Sequence, residues 1–199
     1  MKILKKSFQN QKEIIKAIEE GKVVIYPTDT IYGLLADAAS EKAVEKIFRI
    51  KKRPKNKALP VFVKDIRMAK KLAFIDKEKE IFLKKVWPGK ITVILKARKS
   101  NLVKAVFGRG ASIGLRIPDY DLINELLEKI NKPLAETSVN ISGKPASVKV
   151  KEILNQFKDR KNQPDLALNV GDLPENTPST VIDFVGKRPK ILRKGRIEI

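Results

Sequence analysis

The chain has 199 residues, of which 42% are hydrophobic, and this is enough for one α/β domain with a sizeable core. It carries 43 Lys and Arg against 23 Asp and Glu, and the net charge of +20 favours polyanionic partners such as nucleotides or RNA. A lysine-rich surface from a heat-adapted source would explain the same charge. Because the sequence contains no Cys and no His, disulfides, thiolate nucleophiles, imidazole bases and zinc sites built on these residues are excluded.

Apolar residues are spread along the chain rather than concentrated in one segment. No stretch reaches the roughly 18 apolar residues that a membrane span requires, and no long apolar run follows the basic residues 1–6. We therefore expect a cytoplasmic protein with no membrane partner. Its catalysis would rest on positioning, electrostatics and a metal ion held by substrate phosphates.

Apolar residues at helical spacing, separated by capping residues and by Gly or Pro, predict six helices. The first is expected at residues 11–20, the second ends in the basic residues 51–53, and two more fall within residues 66–86. The last two lie after residues 119 and 147. The expected caps are Asn10, Ser40, Asp119 and Ser147.

Short apolar and β-branched runs bounded by turn residues predict strands between these helices. They are expected at residues 22–26, 60–64, 91–96, 112–117, 133–136, 166–170, 180–184 and 190–193. The mixture of helices and strands throughout predicts an α/β fold. Since the candidate loops at 99–110 and 171–178 are too short to separate domains, we expect residues 1–199 to form a single domain.

Two polar pairs indicate a phosphate-binding site. Lys51 and Arg53 are two residues apart, as are Ser138 and Asn140, and on an extended segment such pairs project to one side. They supply an ammonium, a guanidinium, a hydroxyl and an amide that can bond phosphate oxygens. Alternatively, the cations could be solvated charges at a helix C-terminus, and Ser138 with Asn140 could bond local backbone in a turn.

Two further segments carry polar groups in apolar surroundings. Residues 26–34 follow a predicted strand, where α/β folds usually place ligands, and their Thr and Tyr side chains could line an amino-acid pocket or form a polar turn. Arg116 lies in an otherwise apolar strand, so its guanidinium needs an anionic partner, which could be a structural Asp or Glu or a bound carboxylate. Ser112 lies four residues earlier on the same face of that strand.

Four segments occur in a fixed order along the chain: YPTDTIYGL at 26–34, KKRP at 51–54, TSVNISGKPA at 137–146, and PSTVID followed by ILRKG within 178–195. Together they resemble the YrdC family, whose best-known members are threonylcarbamoyl-AMP synthases. The resemblance extends from Ser7 to the end of the chain. It implies one α/β domain, with a twisted mixed β-sheet flanked by helices and a basic concave cleft, and without the additional C-terminal domain of longer synthases.

The resemblance also implies a reaction. L-threonine, bicarbonate or CO2, and ATP would give threonylcarbamoyl-AMP and pyrophosphate, the intermediate for the t6A modification of tRNA. Mg2+ would be held mainly by the ATP phosphates, with no metal site on the protein. A separate TsaD-like transferase complex would complete the modification, and tRNA or double-stranded RNA would be a further partner.

Roles for individual residues follow from the same resemblance. Residues that would stabilise charge on the departing pyrophosphate, and so act in catalysis, are Lys51, Arg53, Ser138 and Asn140. Further contacts to ATP are implied for Lys57, Ser112, Ala146 and Arg193. Contacts to threonine are implied for Thr30, Arg116 and Ser179.

Two other functions fit the same sequence. The net charge of +20 suits an RNA-binding protein without catalysis, which would bind tRNA, rRNA or double-stranded RNA. A YciO-like paralogue would use a different acceptor, whereas a HypF-like role would need additional domains. Relatives often read Ala-Pro-Ser-Ala-Asn at residues 136–140 and Glu-Ser-Thr at 178–180, where this chain has Glu136, Thr137 and Pro178. These changes lie beside the expected amino-acid pocket and bear on threonine selectivity.

Overall fold

A computed structural model describes residues 1–195, whose strands form one mixed sheet. The strands are β1 Lys2–Lys5, β2 Val24–Tyr26, β3 Gly33–Asp37, β4 Val61–Phe62, β5 Ile91–Lys96, β6 Phe107–Gly108, β7 Ser112–Arg116, β8 Leu134–Ser138, β9 Leu166–Asn169, β10 Thr180–Asp183 and β11 Lys190–Arg193. The helices are α1 Phe8–Glu19, α2 Glu41–Lys51, α3 Ile66–Leu72, α4 Lys77–Val86, α5 Asp121–Ile130 and α6 Val150–Phe157, with a short 3-10 helix at Lys104–Val106.

The sheet has the order β1-β9-β2-β3-β8-β4-β7-β5-β10-β11, and β6 pairs with β7. Strands β9, β4 and β10 each pair in parallel with a neighbour, while β3 and β8 form an antiparallel pair at the centre. The expectation of a twisted mixed α/β sheet flanked by helices is confirmed. The sequence does not reveal this order, because neighbouring strands such as β3 and β8 are far apart in the chain.

Helices cover both faces of the sheet. On one face, α1 and α5 pack against β2, β3 and β8 through apolar side chains that include Ile14, Ile18, Ile123 and Leu126. On the other face, α2, α3, α4 and α6 contribute to a larger core that includes Ile47, Leu83 and Phe157. Each amphipathic helix thus buries its apolar face against the sheet.

The sheet face covered by α1 and α5 extends beyond these helices along β8 and β7. There, polar side chains replace the apolar ones. On β8, Leu134 packs under these helices, and the next residues on the same side are Glu136 and Ser138. On β7, Ile113 and Leu115 point into the opposite core, so Ser112 and Arg116 lie on this face. Strand alternation therefore puts polar groups from several strands on one surface.

The helix caps agree only partly with those predicted. Ser40 caps α2, as expected, by accepting a hydrogen bond from the Ala43 backbone. Asn10 was the wrong cap for α1, because Ser7 accepts a bond from the Asn10 backbone and the helix starts earlier.

The predicted caps of the last two helices are also wrong. Asp119 does not cap α5, which begins after Tyr120, and its backbone N–H donates to Asp29 instead. Ser147 lies one turn outside α6 and accepts a bond from the Lys149 backbone. Tertiary contacts and local turns have replaced side-chain capping at both positions.

The eight predicted strands are present with bounds trimmed or shifted by a few residues at most, but β1, β3 and β6 were missed. All five residues of β3 are buried, so the strand shows no alternation of polar and apolar residues in the sequence. β6 has only two residues. Within residues 1–195, no helix is long and apolar enough to cross a membrane.

Candidate active site

A cavity of about 330 Å3 opens on the polar part of the sheet face. Its wall is built from β5, β7, β8, β10 and β11 and from the loops after β2 and α2. The predicted site residues that line it are Thr30, Arg53, Ser112, Arg116, Ser138, Ser179 and Arg193. The fold therefore brings together residues from separated segments.

Lys51 lies behind this cavity rather than in its wall. It is the last residue of α2 and is buried, and its ammonium donates to the Ser138 carbonyl at 2.5 Å, the Asn140 carbonyl at 2.8 Å and Asn140 Oδ1 at 2.9 Å. Burial lowers the pKa of Lys51 to about 8, and the nearby Arg53 contributes to the same shift. Lys51 thus joins the two polar pairs of the sequence directly.

The prediction that Lys51 and Arg53 project from one extended segment is wrong. Lys51 is helical, and Lys52 adopts a left-handed conformation, with φ of 51°, that turns the chain before Arg53. The Arg53 guanidinium reaches the cavity and is braced by the carbonyls of Lys57 at 3.0 Å and Ala58 at 2.8 Å. Its remaining N–H groups are available for an anion in the cavity.

Ser138 and Asn140 form a closed local arrangement. Ser138 Oγ donates to Asn140 Oδ1 at 2.6 Å, and the Asn140 amide nitrogen donates to the carbonyls of Ile141 and Lys144. Asn140 is buried, whereas Ser138 lines the cavity. Hence the turn interpretation of this pair is correct for Asn140, and Ser138 is the member that a ligand can reach.

Arg116 has the structural anionic partner that its burial requires. Its Nη2 donates to Asp29 Oδ1 at 2.5 Å, and both side chains are almost completely buried. Its Nε donates to the Gly89 carbonyl at 2.9 Å, and Nη1 lies 3.5 Å from Thr30 Oγ1. Since Arg116 also lines the cavity, this pairing fixes a guanidinium beside Thr30 with part of its donor capacity facing a ligand.

Ser179 and Arg193 contact each other in the part of the wall formed by β10 and β11. Arg193 donates to the Ser179 carbonyl through Nε at 3.1 Å and Nη2 at 2.8 Å, and the Ser179 hydroxyl lies 2.9 Å from Thr92 Oγ1. At the next edge, Ser112 Oγ donates to the Arg109 carbonyl at 2.8 Å. The Cβ of any larger residue at Gly108 would come within 2.8 Å of the Ser112 hydroxyl, so Gly108 leaves room for it.

Glu136 brings a carboxylate into this arginine-rich cavity. It lines the cavity together with Arg53, Arg116 and Arg193. Burial raises the pKa of Glu136 above its ordinary value, and the charges of Arg116 and Arg193 oppose that shift. The sequence marks Glu136 only as a departure from the family pattern, and Asp29 only as part of the YPTDTIYGL segment.

Besides Lys51 and Asn140, two more of the predicted ATP contacts lie outside the cavity wall. Lys57 and Ala146 are both exposed, and neither lines the cavity. Only the Lys57 carbonyl takes part in the site, by accepting a hydrogen bond from Arg53.

A second cavity of about 680 Å3 adjoins the first. The two share Arg53 and Gly108, and the second is lined by the aromatic side chains of Phe48 and Phe107 and by cations that include Lys104. Glu41 and Glu45 also line it, and its aromatic side chains beside Arg53 suit the stacking of a flat ring such as a nucleotide base.

The described residues favour no protein metal site. Residues 1–195 contain no group of three or more Asp or Glu side chains that could hold a metal ion. Glu136 is the acidic member of the cavity wall, and it is surrounded by arginines.

The family model for Sua5, YciO and YrdC proteins, described as "Telomere recombination", matches residues 16–195. The chain belongs to the Sua5/YciO/YrdC family. It is 34% identical over 184 residues to threonylcarbamoyl-AMP synthase of Pyrococcus abyssi. The aligned region covers 92% of this chain and 53% of that protein. It is 35% identical over 205 residues to a homologue in Methanocaldococcus jannaschii, of which it covers 94%.

Solved structures of the Sua5/YciO/YrdC family share the fold. Pyrococcus abyssi Sua5 complexed with L-threonine has a TM-score of 0.87 and 29% identity, covering 98% of this chain and 57% of that one. Escherichia coli YciO has a TM-score of 0.88 and 25% identity, covering 99% of this chain and 96% of that one. The chain thus spans about half of the Pyrococcus synthase, and the fold alone is equally close to a YciO protein.

Proposed function

We propose that this chain condenses L-threonine, bicarbonate or CO2, and ATP to threonylcarbamoyl-AMP and pyrophosphate. The observation that carries the proposal is the meeting of Arg53, Arg116, Ser138 and Arg193 in one cavity, within a family that contains threonylcarbamoyl-AMP synthases. A Sua5 protein with 29% identity has been solved with L-threonine bound. The reaction needs no His or Cys, and the sequence has neither.

The amino acid is placed at the Arg116 end of the cavity. Asp29 neutralises part of the Arg116 charge and fixes the guanidinium plane, so a substrate carboxylate would meet a preorganised donor pair. Thr30 and Ser179 supply hydroxyls close to Arg116 and Arg193. These groups suit a small hydroxylated amino acid.

The phosphates are placed at the Arg53 and Ser138 end. Arg53 offers a braced planar fork, and the Ser138 hydroxyl can turn from Asn140 Oδ1 to a phosphate oxygen. Lys51 and Asn140 lie behind the cavity wall and hold the Ser138 segment in place, and the Lys51 ammonium adds positive charge. The negative charge that develops on the departing pyrophosphate is therefore stabilised by fixed groups.

Mg2+ enters this proposal together with ATP. The phosphates would hold it, and its contribution would be to neutralise phosphate charge. The protein residues position the nucleotide, keep the carbamate oxygen in line with the α-phosphate, and limit the access of water.

We place the reaction in the cytoplasm, where its product would pass to a separate TsaD-like transferase for t6A modification of tRNA. The net charge of +20 supports direct contact with tRNA as well. Such contact should weaken steeply with salt and should be independent of threonine.

The test is pyrophosphate release by the purified protein with ATP and Mg2+, with threonine and bicarbonate each omitted in turn. Release that requires both, with a product of the mass of threonylcarbamoyl-AMP, supports the proposal. Arg53→Ala should abolish it. Activity with another amino acid but not with threonine would indicate a YciO-like paralogue, and no nucleotide turnover would favour RNA binding alone.

A further inference from the structure

The carboxylate of Glu136 faces the cavity without a direct hydrogen-bond or ion-pair partner among the described residues. Glu136 lies on β8 two residues before Ser138 and faces the cavity. A Cβ added to Gly33 on the neighbouring strand would lie 3.8 Å from Glu136 Oε2, so the carboxylate rests over a glycine. Within residues 1–195, no hydrogen bond or ion pair engages it, and it is not sealed from the cavity.

Charged groups at five other positions of the chain surround Glu136, and one of them is Arg53 in the loop after α2. Burial has the largest effect and raises the pKa of its carboxyl group. Arg116 on β7, Arg193 on β11 and Lys51 on α2 act in the opposite direction, whereas Asp29 after β2 adds to the rise. The protonated form of Glu136 is thus favoured more than that of an exposed carboxylate.

The position of Glu136 favours the amino-acid end of the cavity. Among the cations that affect it, Arg116 has the largest influence, and Arg116 contacts Thr30. The ammonium and carboxylate groups of an α-amino acid are attached to the same carbon. If Arg116 binds the carboxylate, the ammonium group must lie within a few ångströms of that carboxylate. An ammonium group in a cavity lined by arginines needs an acidic acceptor, and Glu136 is the acidic side chain that the described wall offers.

We propose that Glu136 receives the α-ammonium group of the amino-acid substrate and takes one of its protons, which frees the nitrogen lone pair to attack CO2. The inference rests on the proposed function, because it assigns a role within that reaction.

The proton balance of the step is complete. The ammonium group R–NH3+ gives one proton to the Glu136 carboxylate and becomes R–NH2. The nitrogen lone pair forms the bond to the carbon of CO2, giving R–NH2+–COO−, which loses its second proton to water and becomes the carbamate R–NH–COO−. No oxidant or reductant is involved. Because Glu136 keeps one of the two protons that the ammonium group loses, the cavity is one charge less negative than if both left to water, which limits repulsion of the incoming ATP phosphates.

The inference is tested first by binding, with Glu136→Gln and the matched control Glu19→Gln. Glu19 is exposed, and the same substitution there also removes one negative charge. Calorimetry compares L-threonine with 2,3-dihydroxybutanoate, in which a hydroxyl replaces the amine. We expect the wild type and Glu19→Gln to prefer threonine by about 10- to 100-fold, the range for a hydrogen bond to a charged group, and Glu136→Gln to lose most of that preference.

A pH profile provides the second readout. With the wild type, kcat/KM for threonine should decrease at pH values below the raised pKa of Glu136. The protonated acid can accept neither the ammonium group nor its proton. Glu136→Gln should lower kcat and remove that acidic limb. Circular dichroism of Glu136→Gln and Glu19→Gln shows whether either variant has failed to fold. If Glu136→Gln does not fold, Glu136→Asp is measured instead, because it keeps the charge but withdraws the carboxylate from the cavity.

Each contrary outcome is distinct. Unchanged discrimination in Glu136→Gln overturns the inference, even if the wild type is an active synthase. A raised Mg2+ requirement with unchanged amino-acid preference would make Glu136 a metal ligand and also overturns it. If the wild type binds threonine and discriminates through Glu136 but releases no pyrophosphate, the proposed reaction fails while the ammonium site stands. If the wild type binds no amino acid, both fail.

Discussion

Lys51 and Asn140 lie 89 residues apart in the sequence, and the Lys51 ammonium donates to both the carbonyl and the side-chain Oδ1 of Asn140. A third bond to the Ser138 carbonyl completes its donor set. The two polar pairs therefore form one unit in which the end of α2 holds the end of β8. Ser138 and Arg53 line the cavity on the surface of that unit.

Lys51→Met should destabilise the protein and disorganise the site. The substitution keeps much of the side-chain length but removes three hydrogen bonds. Asn140 Oδ1 keeps the Ser138 hydroxyl and the Ser138 carbonyl keeps the Asn140 backbone N–H, so the Asn140 carbonyl is the acceptor that loses its donor, at a cost of about 1 to 3 kcal/mol. The free energy of unfolding in urea measures the loss, and ATP binding measures the effect on the site. Lys52→Met, at the exposed neighbouring position, is the control and should change neither quantity appreciably.

ATP affinity should fall as the pH rises through about 8. Because the pKa of Lys51 is lowered to about 8 from the ordinary 10.5, its ammonium is lost in a pH range where other lysines stay charged. A neutral amine holds the Ser138 segment with fewer donors and adds no charge. Titration of ATP affinity from pH 6 to pH 10 checks this, and Lys51→Arg, which stays charged, should not show the decline. An identical decline in that variant would assign it to another group.

Asp29→Asn should cost more stability than a surface substitution of the same kind. It leaves the buried Arg116 guanidinium without its counter-charge, a loss of about 3 to 5 kcal/mol for a buried ion pair. Thermal unfolding compares it with Asp159→Asn on the exposed side of the chain. In a double-mutant cycle with Arg116→Met, the two losses should be strongly non-additive. Additive losses would mean that the pair is not coupled.

Lys57→Ala should leave ATP binding within about twofold of the wild type. Its side chain is exposed and outside the cavity wall, and only its backbone carbonyl bonds Arg53. Arg53→Ala should weaken ATP binding strongly, because charge-assisted bonds of the kind lost are worth about 1.5 to 3 kcal/mol each. A large effect of Lys57→Ala would show that the loop closes on the nucleotide.

Gly195→Ala should reduce threonine-dependent activity. A Cβ at Gly195 would come within 2.5 Å of the Pro178 carbonyl and 2.8 Å of the Thr180 backbone nitrogen, so the segment that carries Ser179 must shift. The matched control is Gly186→Ala, where nothing lies within 4 Å of the added atom. KM for threonine measured on both variants checks the difference. Equal values would place Pro178 and Ser179 outside the amino-acid site.

The sequence alone determined the class of the fold and most of its elements. Periodicity predicted all six helices, since their apolar residues recur at the helical spacing and pack against one sheet. The strand at residues 91–96 has the bounds that were predicted for it. β3 escaped prediction because burial on both faces removes the polar alternation that marks a strand.

Tertiary structure decided which polar residues form the site. The polar pairs could be recognised from their spacing, but spacing does not tell which member is exposed to a ligand. Sheet order brings β8 beside β3 and β4, and this places Glu136 and Ser138 in the cavity and turns Asn140 inward to Lys51. The sequence likewise did not determine the anionic partner of Arg116, because Asp29 reaches it only when the loop after β2 folds over β7. Helices and strands can be predicted because their periodicity depends on neighbouring residues. The pairing of distant charges cannot, because it depends on the path of the whole chain.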